Sequence, residues 1–291
     1  MAYRIVKINS RCKLETQLNY LVCRTDKETR VLLDEISILI IENQQACLTS
    51  ALISELMNHK VRVIFCDSQH SPQGELNPYS SCFDTYSKIK AQVNWPRNFM
   101  DNLWKKVVQL KIRNQAMLLH LTEHEAEAKT LQGYQEQVED GDPTNREGLA
   151  AKVYFAALFG SSFDRRKDSD SRNTYLNYGY SLILSAVNRE ISLFGYMPVW
   201  GIHHIGAQNP FNLGCDLMEP FRPFIDQMVV SGVLSPENYK KMLLDRMGQN
   251  ILCTENNTIL ENAIHFFVLG CFNALDQGDT THVPDVGFLR E

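Results

Sequence analysis

The chain has 291 residues, of which 44% are hydrophobic and 22% charged, and its net charge is −5 at pH 7. This composition is typical of a globular protein and excludes a disordered or fibrous chain. The length suits two domains, because a single hydrophobic core stops growing near ~250–300 residues. The acidic balance argues against a protein that coats nucleic acid through bulk charge.

Export signals and disulfides are not expected. No apolar run approaches the ~20 residues of a membrane span, and charges interrupt the first apolar stretch, unlike in a signal peptide. The eight cysteines form no C-x-x-C pair, which favours reduced, mostly buried thiols over disulfides or a zinc site. We therefore expect a cytoplasmic protein.

The first eighty residues have the pattern of strands. Three segments alternate between apolar and polar residues, and a fourth is a short apolar run typical of a buried strand. One helix interrupts them, with Thr49 or Ser50 as its cap and an apolar face from Leu52 to Met57. The predicted strands are 3–8, 18–24, 37–42 and 61–66.

The pattern becomes helical near Trp95, after a polar loop over 68–80 and a linker over 81–94. The predicted fold class is therefore α+β: a small N-terminal mostly-β domain over 1–80, followed by a larger all-α domain over 95–276. Residues 277–291 read as a tail. The predicted helices are 99–121, 147–159, 174–194, 216–230, 236–247 and 259–275.

Charge is segregated at the start of the helical region. Seven basic residues and one acid lie between Lys88 and Arg113, and the stretch 114–140 holds six acids and one lysine. A phosphate backbone could lie along the basic stretch. Charge alone favours the alternative of a solvated helix face.

A first candidate for chemistry is Glu147. A helix places it in line with the apolar residues Ala150, Ala151 and Tyr154. A carboxylate at the end of a buried stripe needs a cation, a hydrogen-bond donor or a metal as partner. The alternative is a simple interaction with the helix dipole.

Two further segments carry candidate ligands. Neighbouring His203 and His204 point to opposite sides of a strand, so at most one is a ligand, and packing is the alternative. Asp216 and Glu219 are three residues apart, on one helical face, and Asp226 extends this acidic line. Carboxylates that close repel unless a cation lies between them, although an acid-rich first helical turn is the alternative.

Taken together, these carboxylates and one imidazole predict a site for a hard divalent cation. Oxygen-rich ligation with one nitrogen suits Mg²⁺ or Mn²⁺ better than Zn²⁺. Such sites commonly serve phosphoryl transfer. The sequence holds no Walker A loop and no G-x-S-x-G elbow.

Four sequence blocks resemble those of the CRISPR-associated adaptation integrase family in residues and in order. The overall sequence pattern is most similar to the type II-A branch of this family. The similarity extends over roughly 3–275 and includes the N-terminal segments 38–40 and 61–67. The four blocks are Glu147-Gly148 with Ala150-Ala151 and Tyr154-Phe155, then 176–182, then 201–204, then 216–223.

This resemblance implies that Glu147, His204 and Glu219 are the metal ligands and catalytic residues, with Asp216 as a supporting candidate. The extra His203 leaves the choice of histidine open, and His204 stands at the family position. The resemblance also implies a homodimer formed through the β domain. Two such dimers would be bridged by a small ferredoxin-like subunit, with further type II-A adaptation proteins as possible partners.

The implied activity is insertion of short duplex DNA into the CRISPR array, by attack of a 3′-hydroxyl on a repeat phosphodiester. Two alternatives stay open: a metal-dependent nuclease or branched-DNA phosphodiesterase without strand transfer, and a non-catalytic helical DNA-binding scaffold. Tyr178 and Tyr180 are expected to be core aromatics. The candidate DNA contacts are Lys88, Lys90, Lys105, Arg165, Arg166, Asn173, Asn177 and Arg222.

Overall fold

The computed structural model describes residues 4–68, 72–76, 84–167 and 170–289. The chain divides into two compact units, residues 1–79 and 80–291. The elements described in the first unit are β1 (Arg4–Ile8), β2 (Lys13–Gln17), β3 (Tyr20–Arg24), β4 (Glu28–Leu32), β5 (Ile36–Ile41), β6 (Cys47–Leu48), α1 (Ser50–Asn58), β7 (Arg62–Cys66) and β8 (Pro72–Glu75).

The N-terminal unit is built from two four-stranded sheets. In the first, with strand order β1-β5-β7-β8, only the pairing of β7 with β8 is antiparallel. In the second, with order β4-β3-β2-β6, β6 runs parallel to β2. Thr49 caps α1 by accepting the Leu52 N–H, and Leu52 and Leu56 are buried with the sheet residues Leu14 and Leu39.

The strands predicted from sequence are confirmed as β1, β3, β5 and β7, although Tyr3 lies outside the described residues. Four strands were missed. These are β2, β4 and β8, which are mostly polar, and β6, which has two residues, so none shows the alternation that marks a strand. β8 lies within the predicted loop, of which 69–71 and 77–80 are outside the described residues.

The second unit is mainly helical. In the part that the structure describes, its elements are α2 (Thr85–Val93), α3 (Arg97–Leu121), α4 (Glu125–Glu136), α5 (Arg146–Phe159), α6 (Ser171–Leu193), α7 (Asn212–Leu217), α8 (Arg222–Val230), α9 (Tyr239–Met247), β9 (Asn250–Cys253), β10 (Asn256–Ile259), α10 (Leu260–Gln277) and β11 (Val286–Gly287).

Helix α3, with 25 residues, is the longest described helix of this unit. It packs against α4, α5, α8 and α10. Its residues Leu103, Trp104, Val107 and Ile112 are fully buried. None of the described helices combines the length and apolar character that crossing a bilayer would require.

The predicted α+β class is confirmed, with strands first and a mostly helical region after them. The second domain is not all-α, because β9 pairs with both β10 and β11 in a small antiparallel sheet. The predicted tail thus contributes β11, and Asp285 in it pairs with Lys106 and Arg113 of α3. The predicted linker contains α2, while its residues 81–83 lie outside the described part of the chain.

Helix boundaries differ from prediction where proline intervenes. The helix predicted over 216–230 is broken into α7, a short 3-10 turn at Glu219–Phe221 and α8. Pro220 has no N–H to continue the helical hydrogen bonds.

Helix α4 was not predicted, since its sequence is rich in polar residues. The seven described cysteines are all free thiols; Cys82 lies outside the described residues.

Candidate metal centre

A buried lysine lies at the centre of the helical unit. Lys111 of α3 has a side chain only 10% exposed, and its Nζ lies 2.5 Å from Glu147 Oε1. The same ammonium pairs with Glu219 Oε2. Burial works to lower the pKa of Lys111, but the carboxylates of Glu219 and Glu147 outweigh it, so the pKa is raised. Two carboxylates from distant parts of the sequence therefore share one cation.

Glu147 is held by the capped start of α5. The carboxylate of Asp142 accepts the N–H groups of Arg146 and Glu147, at 2.8 and 3.0 Å. Asn145, with a φ of +52°, accepts the Gly148 N–H through its side chain. Glu147 therefore lies in the first turn, and its side chain is 22% exposed.

Glu219 lies in the 3-10 turn after α7. Its side chain is 4% exposed, and Oε1 pairs with Arg222 Nη2 at 2.8 Å. Asn114 of α3 donates to the Pro220 carbonyl at 2.9 Å and so ties this turn to the long helix. Burial would raise the pKa of Glu219, but Arg222 and Lys111 lower it overall. The carboxylate is therefore kept charged in a buried position.

His204 is oriented by Asp216, which has no exposed surface. Nδ1 of the His204 ring lies 2.5 Å from Asp216 Oδ1. Because a carboxylate only accepts hydrogen bonds, Nδ1–H is the donor and Nε2 of His204 is left for a ligand. Asp216 raises the pKa of His204 against the opposing effect of burial. Gly201 is needed beside this pair, since a Cβ there would lie 2.4 Å from the His204 carbonyl oxygen and 2.8 Å from Asp216 Oδ2.

The two neighbouring histidines have different surroundings. His203 stacks on Trp104, with ring centroids 4.2 Å apart and planes within 7°. His204 meets the edge of the same indole at 5.9 Å. The structure therefore gives His203 a packing role, and His204 stays the predicted ligand.

The acidic residues of the third block do not face one cation. Both oxygens of Asp216 are engaged by the loop before α7, whereas Glu219 faces Lys111 and Arg222. Because the helix ends between them, the expected shared face does not form, and Asp216 is an imidazole partner in this geometry. Asp226 is buried and accepts hydrogen bonds from Tyr154 and Tyr180.

Tyr178 and Tyr180 are both buried, which confirms the prediction of core aromatics. Tyr180 and Tyr154 donate their hydroxyls to Asp226, at 2.5 and 2.7 Å. Burial raises the pKa of Asp226 to about 6, although the two hydroxyls oppose this. The Tyr180 ring carries the guanidinium of Arg222 at 4.7 Å.

Four of the predicted DNA contacts cluster near this ring. Arg165 lies over Tyr180 and donates to the side chains of Asn173 and Asn177, at 2.6 and 2.8 Å. Arg222 lies over the same ring. Asn173 is buried and also donates to the backbone, so it supports the loop more than it faces solvent.

Most of the basic stretch is neutralised within the chain. Lys88 pairs with Asp276, and Lys105 pairs with Asp140 at 3.0 Å. Arg166, in the second basic cluster, pairs with Asp164. Lys90 is exposed and makes no ion pair with the described residues. These residues stay predictions as DNA contacts.

Sequence reasoning missed the contribution of α3. Trp104 and Lys111 lie two turns apart on one face, and Asn114 follows about one turn further on. The available signal was a lysine at helical spacing from the apolar residues Trp104, Val107 and Val108. A buried ammonium needs carboxylate partners, but sequence alone does not show which ones.

The residues fit a divalent cation in their chemistry. Glu147 and Glu219 supply oxygen donors and His204 supplies Nε2, which is the kind of set that Mg²⁺ or Mn²⁺ accepts. In the described residues, no three His, Cys, Asp or Glu side chains converge on a common point as a closed site. Lys111 lies between the two carboxylates and already provides one positive charge there.

The fold and site define a two-unit α+β protein whose helical unit carries a carboxylate–imidazole centre. The family model described as "CRISPR associated protein Cas1" matches residues 6–257. The chain therefore belongs to the Cas1 family.

Curated relatives agree with this membership. The chain is 33% identical over 286 residues to a CRISPR-associated endonuclease Cas1 of Neisseria meningitidis serogroup C, covering 98% of this chain and 93% of that protein. It is 28% identical over 218 residues to CRISPR-associated endonuclease Cas1 2 of Saccharolobus solfataricus, covering 72% and 68%.

Solved structures share the fold. A casposase bound to integration product superposes with a TM-score of 0.78 at 18% identity, covering 96% of this chain and 92% of that one. A Cas1 protein from Thermotoga maritima gives a TM-score of 0.71 at 14% identity, with 99% of both chains covered.

Proposed function

We propose that this protein is a divalent-metal-dependent DNA integrase and endonuclease of CRISPR adaptation. It inserts short DNA segments into the CRISPR array by attack of a 3′-hydroxyl on a repeat phosphodiester. One observation carries the proposal: Glu147 and Glu219 share the Lys111 ammonium, and the His204 imidazole, oriented by Asp216, interacts electrostatically with both carboxylates. It is supported by relatives named as Cas1 endonucleases and by the shared fold with a casposase bound to integration product.

Glu147, Glu219 and Nε2 of His204 would hold the Mg²⁺ or Mn²⁺ ion. A bound ion of this kind lowers the pKa of an attacking hydroxyl and stabilises the leaving oxygen of a phosphodiester. Asp216 keeps the Nδ1 proton of His204, so that Nε2 is the nitrogen presented to the centre. Arg222 holds Glu219 in one orientation through its Oε1 atom.

The attacking group belongs to the DNA, so the chain needs no nucleophile and no covalent intermediate. Arg222 and Arg165 lie on the Tyr180 ring near Glu219, where guanidinium groups suit phosphate oxygens. We include Asn177 and Lys90, both exposed, among the phosphate contacts. These contacts position the backbone and read no sequence.

The proposed partners are duplex DNA, a second copy of this chain and a small ferredoxin-like subunit that bridges two dimers. The N-terminal β unit is proposed for dimerisation. A chain of a Cas6-RT-Cas1–Cas2 complex shares this fold, with a TM-score of 0.75 at 17% identity, and this chain spans 36% of it. The internal pairing of Lys88, Lys105 and Arg166 favours DNA binding shared with partners. The proposal does not depend on the type II-A subtype.

The test is a strand-transfer assay. The full chain, with and without its small partner subunit, is given a short duplex and a plasmid bearing a CRISPR repeat, in Mn²⁺, Mg²⁺ or EDTA. Glu147→Gln, His204→Ala and Glu219→Gln are compared with the wild type. His265→Ala is the matched control, because His265 also pairs through Nδ1 with a buried carboxylate, that of Glu190, at 2.7 Å.

Joined products that require the ion, survive in His265→Ala and vanish in the other three variants support the proposal. Cleavage without joining, with the partner subunit present, would instead assign a nuclease. Folded protein that binds DNA without cleaving or joining it in either ion would assign a non-catalytic scaffold. Thermal melting shows that the inactive variants are folded.

A further inference from the structure

The ammonium of Lys111 lies between Glu147 and Glu219, the two carboxylates proposed as metal ligands. We propose that Lys111 is a resident counter-cation, which holds Glu147 and Glu219 together in the metal-free protein and is displaced when the ion binds. This inference rests on the proposed function of the same site. It makes Lys111 a positioning residue that competes with the ion and is not one of its ligands.

Geometry gives the first argument. An Mg²⁺ ion binds carboxylate oxygens at about 2.0–2.1 Å, and Lys111 Nζ contacts Glu147 Oε1 and Glu219 Oε2. An ion that bridges these two oxygens must therefore overlap the position of the ammonium nitrogen. The two cations cannot occupy the space between the carboxylates at the same time.

Charge gives the second argument. Two carboxylates, Glu147 and Glu219, face two side-chain cations, Lys111 and Arg222, so the group is balanced. A divalent ion added to this group would leave it with excess positive charge in a buried place, where repulsion is strong. Departure of Lys111 removes part of that excess, while Arg222 keeps its separate bond to Glu219 Oε1.

Burial explains why the chain carries its own cation. The Glu219 side chain is 4% exposed and Lys111 is 10% exposed. Glu219 is buried and Glu147 is partly buried, and Arg222 balances only one of their two negative charges, so the pair would repel without a second cation. Lysine is suited to this role, since its flexible stem can move the ammonium away, and Glu147, at 22% exposure, marks the more open side. The ion must then compete with an internal charge, which lowers its apparent affinity.

The test measures Mn²⁺ binding directly, from the electron paramagnetic resonance signal of free Mn²⁺. Wild type is compared with Lys111→Met, which keeps the buried stem but removes the charge. Lys105→Met is the control, because Lys105 lies on the same helix as Lys111 but pairs with a different carboxylate, that of Asp140. We expect Lys111→Met to bind Mn²⁺ about tenfold more tightly or better. Lys105→Met should bind like the wild type.

Thermal melting of the same proteins gives a second readout. Lys111→Met should melt at lower temperature than the wild type in EDTA, because Glu147 and Glu219 lose their shared cation. Saturating Mn²⁺ should raise its melting temperature by more than it raises that of the wild type, since an ion that binds only the folded state stabilises it.

A third measurement avoids substitution at the site. In the wild type with ¹³C-labelled lysine, the ε-methylene signal of Lys111, assigned by its absence in Lys111→Arg, should move as Mg²⁺ is added and should stop moving at saturation. The Lys105 signal should stay in place.

The measurements distinguish failure of the Lys111 inference from failure of the proposed metal function. If Lys111→Met binds Mn²⁺ no better than the wild type, or the Lys111 signal is unmoved at saturating Mg²⁺, the inference is overturned while the metal site stands. If neither protein binds Mn²⁺ and Glu147→Gln is indistinguishable from both, the proposed metal function fails and takes this inference with it.

Discussion

Nδ1 of His204 lies 2.5 Å from Oδ1 of Asp216. The two oxygens of this fully buried carboxylate also accept the backbone N–H groups of Ile202, His203 and His204, at 2.7, 3.0 and 3.0 Å. One side chain therefore folds the loop that carries the imidazole and also fixes which ring nitrogen bears the proton.

Replacement of Asp216 should act through His204. We expect Asp216→Asn to weaken Mn²⁺ binding by about 10- to 100-fold, the usual effect of losing the partner that orients a metal-binding histidine. Mn²⁺ titration followed by electron paramagnetic resonance measures this change. In a His204→Ala background the same substitution should have little further effect; an equal loss there would show that Asp216 acts independently of the imidazole.

The two histidines should separate in function. His203→Phe keeps an aromatic ring against Trp104, so we expect metal-dependent joining to persist. His204→Phe removes Nε2 and should abolish joining. His203→Ala loses the stack, which contributes about 0.5–1.5 kcal/mol to the free energy of unfolding. Joining assays and urea titrations measure both effects, and loss of joining in folded His203→Phe would reassign the ligand.

Asp226 should make stability depend on pH. Its pKa is raised to about 6 in the folded state by burial, against about 3.9 in the unfolded chain. Between these values the folded state holds the proton and the unfolded state does not, so stability falls as pH rises through about 6. Asp226→Asn cannot titrate at this position. Its free energy of unfolding should therefore rise, relative to that of the wild type, by roughly 3 kcal/mol as the pH is raised from about 4 to about 7.

Urea unfolding of the two proteins across this range measures the difference, and other titrating groups cancel in the comparison. The difference between the free energies of unfolding of the two proteins should be constant below about pH 4. Curves that stay parallel throughout would show that Asp226 is ionised in both states.

Lys90 and Lys105 should contribute unequally to DNA binding. Lys105 shares its charge with Asp140, whereas Lys90 is exposed and pairs with no carboxylate in the described ranges. Lys90→Ala should reduce the slope of log affinity against log salt by about 1, the loss of one phosphate contact. Lys105→Ala should leave the slope nearly unchanged. Binding of a fluorescent duplex at several salt concentrations measures both, and a larger effect at Lys105 would contradict the pairing argument.

The sequence was sufficient for the residues that carry local motifs. Thr49 and the apolar row of α1 predict a capped helix, and that helix is present. The four blocks name Glu147, His204 and Glu219, and the structure brings the two carboxylates onto one cation. Each of these inferences depends on spacing within a few residues or on a motif.

What the sequence could not supply depends on contacts between distant residues. β9 and β11 pair across more than thirty residues, and neither strand is long enough to show a pattern of its own. Lys111 meets Glu147 and Glu219 only after α3, α5 and the turn after α7 have packed together. Helix α7 ends at Leu217, ahead of Pro220, and this end separates Asp216 from Glu219, although their spacing alone predicts one face.

Helix α3 contacts three separate segments of the site through Trp104, Lys111 and Asn114. A small rotation of this one helix would move the histidine loop, the start of α5 and the turn that carries Glu219 and Pro220 together. Substitutions in these segments, which lie far apart in the sequence, should therefore show coupled energies, since each changes the position of the same helix. Mutational scans of this protein would find strong epistasis concentrated along a single helix, and a variant harmless alone would become damaging beside a second change.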